Sequence, residues 1–286
     1  METFGDIPSP RSGHSVSVFG NLLFLFGGIN FTDESVFNDL YVFNIDNSEW
    51  KYVGEKGAII KERNSQIMNI IDGGEDIGAY LVIYGGASPE SGPLGETFYS
   101  KIPRNWEDIV KKGIDSFYVE WQILSLETPS PGPREMHGSA VVGNSLYIMG
   151  GRGEDGNMLN DIWGLSFNPI KDINEHSIFS WKRINCDDLH ACCAHSLVAF
   201  GYSLFSFGGF DETVGISQQL YKIDLSNQTN TNIPMSSSPN PIPARFGHCA
   251  CVVKLQLIDV NRHVMILFGG VNLEADLADM WLIILD

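Results

Sequence analysis

The chain has 286 residues, 43% of them hydrophobic, with 30 glycines and 13 prolines, which gives enough apolar material for a core and many turn residues. Eighteen Lys and Arg against 35 Asp and Glu leave a net charge of −17, which argues against general binding to nucleic-acid phosphates, and no apolar run approaches the ~18 residues of a membrane span. Five cysteines without a basic-then-apolar leader argue against a disulfide framework and point to a cytoplasmic or nuclear protein.

Taken in chain order, five repeats follow a short apolar segment at residues 3–7. The first opens at Arg11-Ser12-Gly13-His14-Ser15, reaches Gly27-Gly28 after the apolar run 23–26, passes Tyr41 and closes on a strand opened by Trp50. The second opens at Arg63-Asn64-Ser65-Gln66, without the His, and carries Gly85-Gly86, Tyr99 and Trp121. Between its third and fourth strands lies an insertion, residues 103–117, in which Trp106, Ile109, Val110 and Ile114 are spaced for one face of a short helix. Such a face is expected to pack on its own blade. The third repeat has Arg134-Glu135-Met136-His137-Gly138, Gly150-Gly151, Trp163 and Trp181. The fourth has Cys192 in place of the Arg, His195, Gly208-Gly209 and Tyr221, and lacks the late Trp. Residues 227–244, rich in Ser, Asn and Pro, read as a mobile loop. The fifth has Arg245-Phe246-Gly247-His248-Cys249, Gly269-Gly270 and Trp281.

The glycine pairs are 58, 65, 58 and 61 residues apart, and an aromatic follows each by 11 to 13 residues. Repetition at such a period means units too small to bury a core alone. Each unit reads as four short strands, A to D, separated by turns. A glycine within a strand marks close approach by another group, and the aromatic on the neighbouring strand is the expected occupant of that space.

Together these signals resemble the kelch repeat, the four-stranded blade of a β-propeller, over essentially the whole chain. The expectation is an all-β fold, residues 1–286 as a single kelch-type β-propeller domain with five four-stranded blades, six if the chain is truncated. Because the chain stops at Asp286 after strand C of the last blade, residues 3–7 are expected to close the ring as its fourth strand. Phe4 would then take the place of the usual Trp, and a monomer with no open edge would result.

What the resemblance implies about function is a non-enzymatic module that binds a protein or peptide. Strand A is innermost in the kelch family, so Arg11, Arg63, Arg134 and Arg245 would ring one mouth of the central channel. Asn30, Ser88, Arg152, Asp211 and Asn272, which begin the loops between strands B and C, would share that mouth. In BTB–Kelch adaptors the corresponding arginines grip acidic motifs, and a guanidinium offers carboxylates a fixed bidentate fork. The other reading of the same arginines is that they pair with local carboxylates and carbonyls to hold the blades. His14, His137, His195 and His248 recur once per blade and read as structural. His190, Cys192, Cys193 and His195 lie close in sequence, but strand alternation separates the two thiols, so no metal and no cofactor is expected. Two alternatives stay open: a regulatory propeller within a larger phosphatase- or BTB-linked polypeptide, and a metal-dependent kelch enzyme. Against the enzyme, the specifier-protein phrase Glu-x3-Asp-x3-His is missing from the sequence, as are phosphate-loop, nucleophile-elbow and HExxH patterns.

Overall fold

The computed structural model describes residues 2–74, 78–102, 106, 118–125, 129–167, 178–211, 213–235, 241–257 and 260–286. These fall into two compact units. The first comprises residues 1–135, 143–145 and 165–181, and the second residues 136–142, 146–164 and 182–286.

In the first unit, blade one is the antiparallel sheet Ser15–Phe19, Leu22–Asn30, Ser35–Asn44 and Glu49–Gly57, and blade two is Ile67–Asp72, Ala79–Tyr84, Thr97–Ile102 and Tyr118–Ile123. Alternation sends Phe24, Phe26, Leu40 and Val42 of blade one into a shared core with Met68, Leu81, Ile83 and Phe98 of blade two. Two late tryptophans act across blades. Trp121 packs edge-on against Phe26 and donates its Nε1–H to Glu55 Oε1 (2.8 Å), and Trp181 packs on Tyr84 and donates to Thr97 Oγ1 (3.0 Å).

Blade three, with strands Gly138–Val142, Ser145–Met149, Ile162–Phe167 and Phe179–Ile184, contributes residues to both units. In the second unit, blade four is Ser196–Phe200, Ser203–Phe207, Leu220–Asp224 and Thr229–Ile233, and blade five is Cys249–Leu257, Val260–Phe268 and Met280–Ile284. Val198, Phe205 and Phe207 of blade four meet Met265, Leu267 and Ile283 of blade five.

Four sequence expectations change. Residues 3–7 do not complete blade five. Phe4–Gly5 instead pairs in parallel with the start of Glu49–Gly57, Phe4 opposite Glu49 and Gly5 opposite Trp50. The outer strand of blade one pairs at its far end with Tyr118–Ile123, and Asp6 secures its start: its N–H donates to Trp50 O (2.9 Å) and its carboxylate accepts the Tyr52 N–H (3.1 Å). Blade five therefore has three strands among the described residues, not four. The segment read as a loop at 227–244 contains strand D of blade four, because Thr229–Ile233 pairs in register from Asp224↔Thr229 to Leu220↔Ile233. Finally, Trp106 of the insertion is buried against Phe19 and Phe24 of blade one, in the core that blades one and two share, and so does not pack on its own blade alone. Ile109, Val110 and Ile114 lie outside the described residues.

Phe4 and Ile7 are 53% and 57% exposed, so they add little burial. Deleting residues 1–8 is expected to remove a few solvent-facing hydrogen bonds, at ~0.5–1.5 kcal/mol each. Urea denaturation should show a smaller loss than for Leu204→Ala in the core, where ~2–5 kcal/mol is the usual cost.

Candidate binding site

Each repeat's arginine is held the same way. Its Nε–H donates to the carbonyl two residues earlier: Arg11 to Ser9, Arg63 to Lys61, Arg134 to Gly132 and Arg245 to Pro243, at 3.1–3.2 Å. Nη1–H of Arg11, Arg63 and Arg245 reaches the carbonyl of the first glycine of the same blade's pair, Gly27, Gly85 and Gly269 (3.1, 3.0 and 2.8 Å). An acid completes the clasp. Arg11 pairs with Asp39, Arg245 grips both Asp279 oxygens (2.6 and 2.8 Å), and Arg63 lies 3.8 Å from Glu96. The Arg245 guanidinium holds the Asp279 carboxyl far below its ordinary range, and burial lowers Arg63 to about 10.

Arg63, Arg134 and Arg245 are no more than 1% exposed. Buried in these bonds, the three arginines hold their own blades together. Sequence reasoning missed the acids, although Asp39 and Asp279 each stand two residues before the aromatic. Blade four supports the pairing by losing both partners: Cys192 replaces the Arg and Gln219 stands in the Asp position.

The glycine pairs join neighbouring blades. Gly28, Gly86, Gly151 and Gly209 donate their N–H to the carbonyls of Arg63, Arg134, Cys192 and Arg245, the arginine position of the following blade, at 2.8–2.9 Å. The first glycine of a pair has a left-handed φ, and a Cβ on Gly150 or Gly208 would lie 2.5 or 2.6 Å from that same carbonyl oxygen. The following blade's backbone therefore fills the space, not the aromatic ring that the sequence suggested.

Next to it sits the following blade's His or its substitute. His248 Nε2 meets Ser196 Oγ at 2.8 Å, and Gln66 donates to the equivalent Ser15 Oγ (3.1 Å) and to Phe26 O (2.9 Å). Gln66 thus performs the repeat's histidine role. His195 is buried against Gly138 and Gly150, with Nδ1 3.3 Å from Cys192 Sγ. Burial lowers His195 to about 3 and His248 to about 4 and pushes the Cys192 thiol far up, which favours the neutral forms of Cys192 and His195 at neutral pH. Among the described residues, no three His, Cys, Asp or Glu side chains are grouped to hold a metal ion.

The loops between strands B and C differ in character. Asn30 Oδ1 accepts the Thr32 N–H, Ser88 Oγ that of Glu90, Asp211 Oδ1 those of Thr213 and Val214, and Asn272 Oδ1 those of Glu274 and Ala275. These residues shape their own turns. Three of these loops hold exposed apolar residues, Phe31 at 74%, Val214 at 60% and Leu273 at 92%, and Arg152, which directly follows the glycine pair of blade three, is exposed as well.

Residues 13–258 match the KLHDC2/KLHL20/DRC7 Kelch-repeats domain. The chain is 24% identical over 235 residues to Kelch domain-containing protein 3 of Homo sapiens, covering 78% of this chain and 54% of that protein. It is 30% identical over 154 residues to the N-(sulfonatooxy)prop-2-enimidothioate sulfolyase of Thlaspi arvense, covering 53% of this chain and 38% of that protein. To the leucine-zipper-like transcriptional regulator 1 homolog of Drosophila melanogaster it is 24% identical over 251 residues, 85% of this chain and 23% of that protein. The chain spans about half or less of the length of these relatives. With the repeated clasp, the glycine junctions and a family match over most of its residues, this chain belongs to the Kelch-repeat family and has its β-propeller fold.

Proposed function

We propose that this chain binds a protein or peptide, without catalysing a reaction, through the loops between strands B and C instead of through its strand-A arginines. The observation that carries this reading is that those loops are braced by Asn, Ser and Asp side chains yet hold large apolar residues in water. A preformed loop loses little entropy on binding, and an exposed apolar tip becomes an anchor once a partner covers it. In the second unit the ligand meets Val214 and Leu273, with Arg152 to face an acidic residue beside its apolar anchor. The sulfolyase relative bears the name of an enzyme; against that reading stands the neutral, buried Cys192–His195 pair. Elemental analysis of the purified protein tests the metal-dependent alternative.

A peptide array probed with the purified protein and with Leu273→Ser, Val214→Ser, Arg152→Ala and Arg245→Ala tests the proposal. Loop variants should weaken binding about tenfold each, some 1.4 kcal/mol, at unchanged melting temperature. Arg245→Ala should instead lower the melting temperature, since it removes the buried guanidinium's hydrogen bonds to Gly269 O and Asp279, at ~1.5–3 kcal/mol for a charged hydrogen bond. Hits that survive all three loop variants would remove the loops from the binding surface.

A further inference from the structure

Three of the loops between strands B and C belong to the second unit, and the blade junctions place them side by side. The blade-three loop starts from Gly151, whose N–H donates to Cys192 O of blade four (2.8 Å), and Cys192 pairs with Asp211 at the start of the blade-four loop. Gly209 in turn donates to Arg245 O of blade five (2.9 Å), and Phe246 bridges Val271, where the blade-five loop begins. Residues 152–158, 211–216 and 272–277 are therefore neighbours in space.

Their exposed apolar residues are Val214 and Leu273. The charge around these two is one-sided: the three stretches carry Glu154, Asp155, Asp211, Glu212, Glu274 and Asp276, against Arg152 as their single cation. Asp211 is buried and spent on the Thr213 and Val214 N–H groups. Glu154, Asp155, Glu274 and Asp276 are exposed, and among the described residues no Lys or Arg pairs with them. The backbone under them is already set. Asn272 Oδ1 holds the Glu274 and Ala275 N–H groups (both 2.9 Å), and Asp155 Oδ1 holds that of Asn157 (3.1 Å). Carboxylates gathered on fixed loops repel one another, and a cation arriving among them relieves that repulsion.

Resting on the reading that these loops bind a peptide, we propose that the ligand is a basic segment of a partner protein. Its large apolar side chains cover Val214 and Leu273, and Lys or Arg residues on either side meet Glu274, Asp276, Glu154 and Asp155. Any acidic residue it carries is left to Arg152. The long-range field agrees, because a net charge of −17 draws a basic segment in and repels an acidic one. Arg245, the clasp arginine of blade five, is buried against Asp279 in the same unit and offers an acidic ligand no free fork.

Selection of a phage-displayed library of random peptides on the purified protein tests this, with the enriched peptides then synthesised and titrated by fluorescence anisotropy. The enriched pool should carry Lys or Arg beside Leu, Ile, Val or Phe, and its affinity should fall roughly tenfold between low and high salt, as screened attraction requires. Glu274→Lys should weaken these peptides about fivefold at unchanged melting temperature, because an exposed ion pair is lost and a repulsion takes its place. Glu120→Lys, the same charge change at an exposed site on strand D of blade two, should leave them nearly unaffected. A pool with no excess of Lys and Arg, or equal losses in the two Lys variants, would overturn the proposal. If such a pool is still lost on Leu273→Ser, the loops remain the binding surface and only the ligand's charge is wrong; if it survives Leu273→Ser, the loop reading falls with it.

Discussion

Replacing Gly208 by alanine is expected to destabilise the protein by about 2–5 kcal/mol, among the largest effects of any single methyl group added to this chain. Two costs add. Gly208 has φ +65, where an L-residue costs ~1–2 kcal/mol. Its new Cβ would also stand 2.6 Å from Arg245 O and 2.9 Å from His248 Cε1. The carbonyl cannot retreat freely, because it already accepts the Gly209 N–H at 2.9 Å and belongs to the residue whose guanidinium grips Asp279. Relief must therefore come from parting blades four and five, at the ~1–3 kcal/mol typical of an overpacked core. Gly150, 2.5 Å from Cys192 O at φ +62, should behave alike. Gly92 is the control: φ is +66, but nothing lies within 4 Å, so only the backbone cost remains. Urea midpoints of the three alanine variants decide the matter, and equal losses at Gly92 and Gly208 would remove the blade-junction account.

Stability is expected to fall as the solution is acidified below pH 6.5, with a break in slope near 4.5. His195 and His248 have folded values of about 3 and about 4, below the ordinary 6.5, and burial is the first cause of both. A depressed His binds its proton in the unfolded chain before the folded one. Each therefore costs ~1.4 kcal/mol per pH unit between 6.5 and its folded value. Glu55 works the other way. Burial raises it to about 7, so between pH 7 and 4.5 the folded state binds its proton more readily and gains stability on acidification. From 6.5 to 4.5 the balance is two losses against one gain, a net slope of ~1.4 kcal/mol per pH unit. Below 4.5 the Glu55 gain is complete, and the slope doubles until His248 titrates. His14 and His190, also lowered by burial, add in the same direction. The variant His248→Gln makes the prediction specific, because Gln66 already fills this position in blade two and bonds the equivalent serine. It should fold and should flatten the acid limb. A profile level down to pH 4.5, or one unchanged in that variant, would show that these imidazoles are not held neutral by burial.

The order of the repeats, the four-strand pattern and the all-β class were legible because each rests on local chemistry written five times. Apolar runs ending in Gly-Gly, an aromatic in register and turn residues between them recur regardless of what packs on what. The functional weight of the arginines was not legible. A guanidinium on a rim and one sealed under a clasp have the same sequence. Only packing brings Arg245 to Asp279, 34 residues away, and removes the guanidinium from competing water. The tight inner turn was half visible. Gly13 and Gly247 announce a left-handed residue at the third motif position, whereas Ser65, Met136 and Ala194 adopt it at φ 53–56 without any such sign. They are held there by bonds across blades, Ser65 N–H to Gly13 O and Ala194 N–H to Met136 O. Likewise, residues 3–7 carry a strand pattern that fits any open edge, so their partner was decided by which edge Asp6 could reach. Sequence alone thus determined what each repeat is. Tertiary structure decided which of its polar groups are spent between blades, because burial and long-range pairing depend on neighbours that local pattern does not encode.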